Sequence, residues 1–165
     1  MAQRFRGVIR VGLISDTHGL MRPEALAALA GVSHIVHAGD IGGAEILTQL
    51  STIAPVTAVR GNNDRDAWAH GIAEHEVVQI GGKSIYVLHD LKELDLDPQA
   101  SGFSVVVTGH SHKPVITTRD DVLYVNPGSA GPRRFKLPIS VAILEIAGDT
   151  IRAEIRELGK SEELL

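Results

Sequence analysis

Apolar and polar positions alternate between two rhythms along the chain. Residues 8–15 are rich in β-branched side chains, end at Asp16 and read as a buried strand. Residues 23–30 read as a helix, with Pro23 in its first turn and Gly31 just past its end. Residues 34–38 form a second short strand, stopped by Gly39-Asp40, and residues 44–50 a second helix. Residues 56–60, after Pro55, form a third strand that stops at Gly61. This β-α-β-α-β order implies a parallel sheet with right-handed crossovers.

The second half changes rhythm. Residues 75–80 and 84–88 flank Gly81-Gly82, a hairpin signal. Residues 91–101 fit no single element, because Pro98 argues against one continuous helix. Residues 104–108 make an apolar strand ending at Gly109. Residues 115–118 and 122–125 flank Arg119-Asp120-Asp121, and residues 139–146 and 150–156 flank Gly148-Asp149, two further hairpins. Residues 159–165 read as a frayed end. No repeat, low-complexity tract or linker divides the chain, so residues 1–165 are expected to form one domain. Crossovers early and hairpins late suggest two sheets.

Composition narrows the chemistry. At 44% hydrophobic and 22% charged residues, the 165-residue chain can bury enough apolar surface to fold without staples. It has no Cys, which excludes disulfides, thiolate nucleophiles and Cys-ligated metal sites. That fits a reducing compartment, and a cytoplasmic location is the expectation. The first ten residues carry Arg4, Arg6 and Arg10 with no apolar run behind them, so no secretory signal is expected. No apolar stretch approaches the roughly 18 residues of a membrane span. A net charge of −4 gives no global basic field for a long nucleic acid. A homodimer is the base-rate expectation for assembly.

Eight His residues are the compositional hint of chemistry, and their placement sharpens it. Asp16-Thr17-His18 follows the first strand, Gly39-Asp40 the second and Gly61-Asn62-Asn63-Asp64 the third. His89 follows the strand ending at Leu88, and Gly109-His110-Ser111-His112 the strand ending at Thr108. In open α/β sheets, ligands bind outside the carboxyl ends of the strands, and the early strands share that edge. In an extended segment His110 and His112 would point the same way, each reaching one of two metals about 3.5–4 Å apart. Asp16 and His18 could fold onto one ion, and Asp40, held by a tight turn at Gly39, is the best bridging carboxylate. Asn62 can add an amide oxygen without further negative charge. Imidazole with carboxylate suits Mn, Fe, Zn or Ni rather than Ca.

The order D-x-H, G-D, G-N-x-D, H and G-H-x-H, from Asp16 to His112, resembles the signature of the calcineurin-like metallophosphoesterase superfamily. The HAGD stretch at His37–Asp40 and the NPGS stretch at Asn126–Ser129 look most like its small, YfcE-type phosphodiesterases. The resemblance implies an α/β fold, a four-layer αββα sandwich of two mixed sheets flanked by helices. It implies two divalent ions, Mn foremost. Asp16, His18, Asp40 and His112 would hold one; Asp40, Asn62, His89 and His110 would hold the other. It also implies in-line attack on a small phosphodiester by a hydroxide bridging the metals. The alternatives are a phosphomonoesterase, or a protein-interaction scaffold on the same fold.

Two positions depart from that pattern. Many relatives carry His where this chain has Asn63, so the group expected to act on the leaving alcohol is an amide here. Several carry Gly after the lone ligand His, where this chain has Asp90. Asp40, Asn63 and Asp64 are the candidates for a catalytic role. Asp64 reads equally as a carboxylate orienting a neighbouring loop and as an ordinary turn or cap. His37 is best explained as a hydrogen-bonded structural His, and His34, His70 and His75 as surface or edge residues. Arg133-Arg134 reads as a solvated pair, Trp68 as a packed aromatic and Asn126–Ser129 as a turn with no assigned chemistry.

Overall fold

The computed structural model describes residues 7–159, so the N-terminal residues 1–6 and the expected fraying over 160–165 lie outside it. The chain runs β1 (Ile9–Ile14), α1 (Pro23–Ala28), β2 (His34–His37), α2 (Ala44–Ser51) and β3 (Val56–Ala58). It continues with β4 (His75–Ile80), β5 (Lys83–Leu88), β6 (Val105–Val107), β7 (Val115–Arg119), β8 (Val122–Asn126), β9 (Ser140–Ala147) and β10 (Thr150–Glu157). Short 3-10 turns lie at Ala67–Ala69 and Leu91–Glu93.

Two five-stranded sheets result, ordered β10-β9-β1-β2-β3 and β4-β5-β6-β8-β7. Both are mixed. β1, β2 and β3 are parallel, as are β5, β6 and β8, while β9 and β10 in the first sheet and β4 and β7 in the second run antiparallel to their neighbours. The Gly81-Gly82 turn joins β4 to β5 with φ of +61° and +79°, the left-handed pair that a tight two-residue hairpin needs. β3 is shorter than its apolar run. Val59 N still donates to His37 O of β2 at 3.0 Å, after which the chain peels away and Arg60 donates its amide to Ala73 O at 2.8 Å.

The layers follow from which face each strand residue takes. Val11, Leu13 and Val36 point between the sheets and meet Ile85, Val87, Val105 and Val107 of the other sheet. Ile14 and Ile35 point outward and pack under Ala25 and Leu29 of the α1 segment and Ile46 and Leu50 of α2. Both helical pairs are four residues apart, one stripe of a helix. On the far side, Tyr86, Leu88, Val106 and Val122 are covered by Leu94, Leu96 and Phe103. The expected two-sheet sandwich is therefore present. Its fourth layer is a 3-10 turn and irregular chain, because Pro98 and short apolar spacing support no longer helix there. Among the described residues no helix is long and apolar enough to cross a membrane.

Candidate metal centre

The carboxyl ends of β1, β2, β3, β5 and β6 converge on one edge of the sandwich. The loops there are stitched by backbone bonds. Asp16 N donates to Gly39 O and His18 N to Asp40 O, each at 3.0 Å, and Gly109 N donates to His89 O at 2.9 Å. The second sheet is tied to the first by His110 N, which donates to Asp16 Oδ2 at 3.0 Å.

The loop conformations are unusual. Asp16, His18, Asp40, His110 and His112 have φ of +56°, +46°, +54°, +71° and +64°. Side chains other than Gly avoid this left-handed region, at a cost of order 1 kcal/mol per residue. Such residues persist where their surroundings hold them: of the eight non-Gly residues with positive φ among the described residues, these five are ligand candidates, and Asp120, Asp121 and Phe135 lie in exposed turns or loops. The 110–112 segment is thus not extended. His110 and His112 diverge: His110 lies edge-on to His89 with ring centroids 5.1 Å apart, and His112 lies beside His18 at 5.4 Å. The two residues still reach opposite halves of the site, but by left-handed turns rather than by strand alternation.

Asp16 Oδ1 sits 3.4 Å from His112 Nε2, 3.7 Å from His18 Nε2 and 3.8 Å from His89 Nε2. Asp40 Oδ2 sits 3.3 Å from His89 Nε2 and 3.7 Å from His18 Nε2. Asp16, His18 and His112 each offer one ligand atom within 4.8 Å of the others, and so do Asp16, Asp40 and His89. His110 Nδ1 lies 3.4 Å from His89 Nε2. Asp16 Oδ1, His18 Nε2 and His112 Nδ1 are buried without a hydrogen-bond partner. Buried polar atoms are nearly always satisfied, and Asp16 Oδ1 and His18 Nε2 face each other across 3.7 Å, so this pair of orphans fits metal ligation.

The electrostatics agree. Burial alone would raise the Asp16 carboxyl, but His112, His18, His89 and the Ser15 hydroxyl outweigh it and hold it well below the usual carboxylate range. Burial likewise opposes ionised Asp40, yet His89 and the Asn63 amide pull it down. The bond to Asp16 raises His18; for His89, burial is outweighed by Asp40 and Asp16, which raise it. The centre is built around two carboxylates that demand positive charge, and protons compete with cations for it. Ligand orientation is fixed from behind: His89 Nδ1 lies 2.8 Å from the Ala38 carbonyl, which can only accept, leaving Nε2 free toward the carboxylates.

Supporting residues complete the frame. Asp64 is buried, and its carboxylate accepts from Ile41 N and Gly42 N at 3.0 Å and Gly61 N at 2.9 Å. It clamps the loop after β2 to the loop after β3, the orienting role among the two readings of the sequence. His37 is fully buried, with Nε2 3.0 Å from Thr17 Oγ1 and Nδ1 accepting from Gly39 N at 3.1 Å. Both nitrogens are used, and burial lowers its pKa to about 4, so it stays neutral as a structural His. Gly39 has φ of +105°, and a Cβ there would lie 2.7 Å from His89 Nδ1. Sequence reasoning missed Ser15, whose hydroxyl donates to Asp16 Oδ2 at 2.7 Å. It also missed Asn126, whose amide donates to Gly109 O at 2.9 Å and Ser111 Oγ at 3.1 Å, and Ser129, which donates to Asp16 O at 3.1 Å. The available signal was a polar residue ending an apolar strand. Trp68 packs against the core as expected.

Asn62 and Asn63 are exposed. Asn63 donates its backbone N to Asp40 Oδ1 at 2.9 Å and its side-chain amide to Asp40 Oδ2 at 3.1 Å, so it holds a carboxylate instead of facing outward alone. Asn62 lines a cavity of about 180 Å³ with His89, His110, Asp90, Glu93 and the Arg60–Glu74 pair. Arg133 and Arg134 are exposed, as a solvated pair would be, and the Arg134 charge weakly opposes protonation of His18.

Comparison with known proteins matches this geometry. The profile of the calcineurin-like phosphoesterase superfamily domain fits residues 9–149. A probable metallophosphoesterase from Methanothermobacter thermautotrophicus is 37% identical over 90% of this chain and 92% of its own. Among solved structures, Vacuolar Protein Sorting 29 from Cryptosporidium parvum superposes with a TM-score of 0.78 at 23% identity, covering 92% of each chain. An archaeal phosphodiesterase superposes with a TM-score of 0.75 at 23% identity, covering 90% of this chain and 100% of its own.

Proposed function

The chain belongs to the calcineurin-like phosphoesterase superfamily, and we propose that within it the chain is a two-metal phosphodiesterase acting on small phosphodiesters. Asp16, His18, Asp40 and His112 would hold one divalent ion and Asp40, Asn62, His89 and His110 the other. The imidazole-carboxylate-amide donor set suits Mn, with Fe, Ni or Zn as substitutes. Bound there, such ions supply Lewis acidity toward phosphoryl oxygens and a strong nucleophile at neutral pH. The protein's own part is positional. Asp16 and Asp40 are oriented by Ser15, His110 N and Asn63, and Asp64 fixes the distance between the two loops that carry Asp40 and Asn62.

The observation that carries the preference for diesters is the charge of the cavity beside Asn62, His89 and His110. Asp90, Glu93 and Glu74 line it against a single cation, Arg60, which is already paired with Glu74 at 3.0 Å. Asp90 Oδ2 lies 3.7 Å from His110 Nε2. A diester brings one negative charge to this surface and a monoester dianion brings two, so the diester meets less repulsion. A net charge of −4 disfavours long nucleic acids as substrates. The strained, buried ligand candidates support a metal centre, and a protein-interaction scaffold is the alternative reading on this fold.

The test is metal-dependent hydrolysis. Chelation should abolish turnover of an activated aryl phosphodiester, and Mn²⁺ should restore it, with kcat/KM higher for the diester than for the matching monoester. Full activity in a verified metal-free preparation refutes the metal centre, and a monoester preference refutes the substrate class.

A further inference from the structure

A second, larger cavity adjoins the centre on the outer face of the second sheet. Its volume is about 380 Å³, and Asp90, Gly109 and His110 form the end nearest the metal ligands. Leu91, Val115, Thr117 and Tyr124 supply its walls. Leu91 and Val115 are 37% and 41% exposed, so apolar side chains face water inside a concavity. Singly exposed aliphatic residues need no explanation, but a concave apolar surface continuous with a polar reaction centre does.

The groove has direction. Val115 pairs with Asn126 at the metal edge, and Arg119 pairs with Val122 at the other end of β7. Four residues of antiparallel strand span roughly 13–14 Å, well beyond a phosphoryl group. At that far end the Arg119 guanidinium lies 4.4 Å from the centroid of the Tyr124 ring. A guanidinium stacked on a tyrosine is a planar, polarisable surface, suited to a flat aromatic group rather than a branched chain.

We propose that this groove binds one ester group of the substrate, and that the preferred substrates are phosphodiesters carrying a flat aromatic ester. This rests on the phosphodiesterase reading above and adds the chemical class of the alcohol. The phosphoryl group would sit beside His110, and the aromatic group would run over Gly109 between Leu91 and Val115 toward Tyr124 and Arg119. Asp90 stands at the lip of both cavities, which disfavours a second anionic group at that junction.

The test compares two diesters with the same monoanionic phosphoryl core. Calorimetric titration of the Mn²⁺-loaded protein with diphenyl phosphate and dimethyl phosphate, run cold and fast enough that an assay detects no released phenol or methanol, reads the groove as a ratio of dissociation constants. Burying an aromatic ring should favour diphenyl phosphate by roughly tenfold or more. Thr117→Trp, which fills the groove from an exposed edge strand, should bring the ratio close to one. Leu91→Asp, in the separate 3-10 turn, should do the same, so a folding failure in either variant leaves the other. Thermal melts confirm that each is folded. A wild-type ratio near one, or a ratio unchanged in a folded variant, overturns the groove assignment. If the wild type hydrolyses an aryl diester yet binds both probes alike, only this assignment fails. If the loaded wild type hydrolyses no diester, the phosphodiesterase reading fails first.

Discussion

Asp64→Asn isolates what a buried carboxylate does at this centre. Asp64 Oδ2 accepts two backbone amides, Ile41 N at 3.0 Å and Gly61 N at 2.9 Å, and Oδ1 accepts Gly42 N at 3.0 Å. An asparagine has one acceptor oxygen. In its better orientation that oxygen keeps the Ile41 and Gly61 bonds, and its NH2 is set against the Gly42 N–H. A lost bond to a charged acceptor costs about 1.5–3 kcal/mol, and each remaining bond weakens by about 1 kcal/mol as the acceptor becomes neutral. The total is about 3.5–5 kcal/mol, a large part of the stability of a domain this size. Urea denaturation in chelator, followed by circular dichroism, reads the loss without a metal contribution. Calorimetric Mn²⁺ titration of the folded variant should then show affinity about 10–100-fold weaker, since Asp64 fixes the loops bearing Asp40 and Asn62. If the variant is within 1 kcal/mol of wild type and binds Mn²⁺ normally, the carboxylate does not hold these loops. If stability and affinity are intact but turnover is lost, Asp64 acts in the reaction itself.

Three further outcomes follow from the same geometry. Asp40→Asn should cost more activity than Asn62→Ala, because Asp40 Oδ2 lies between His18 and His89 while Asn62 serves one side; equal losses with full metal content would remove Asp40 from the bridging role. Unfolded His takes a proton below about pH 6.5, whereas His37 resists until about 4, so its contribution is complete above about 6.5 and is lost as pH falls toward 4. The stability difference between wild type and His37→Gln should therefore shrink by about 2 kcal/mol from pH 7 to pH 5 in urea melts, and a pH-independent difference would show that His37 is not held neutral. The Asn63 amide cannot donate a proton at useful pKa, so rates should fall steeply as the leaving alcohol becomes more basic; Asn63→His should flatten that series, and a flat wild-type series would mean that departure does not limit the rate.

Much of the site could be read without coordinates because each ligand follows an apolar β run closed by Gly or by a change to polar residues. Asp16, Asp40, His89 and His110 needed only parallel strands sharing an edge, and β1, β2, β3, β5, β6 and β8 supply that. Element ends shifted where non-local pairing decided them, as at β3, where Ala73 captures Arg60 N. The positive φ values of Asp16, His18, Asp40, His110 and His112 were not legible, because local preference points away from them. They exist through contacts from afar: His110 N on Asp16, Ser129 on the Asp16 carbonyl, Asn126 on the 109–111 turn. Ser15 and Asn126 escaped notice for the same reason, since a short polar residue at a strand end is usually a turn. The sequence allows two readings of Asp64, because nothing local shows that its partners are Ile41 and Gly42 of another loop.

The departure at Asp90 links the two cavities. Its Oδ1 accepts from Lys92 N at 3.0 Å and starts the 3-10 turn that places Leu91 on the apolar groove. Its Oδ2 points the other way, 3.7 Å from His110 Nε2, and adds negative charge to the small cavity beside Asn62. A glycine at this position would supply neither the cap nor the charge. One side chain therefore carries a carboxylate that opposes dianions and shapes the turn that presents a hydrophobic wall. On the proposed reading both effects would select in the same direction, toward a singly charged phosphoryl group with an apolar substituent. They act at different atoms, so shortening the side chain and neutralising it should separate them. Asp90→Asn keeps an acceptor for Lys92 N and removes the charge, whereas Asp90→Gly removes both.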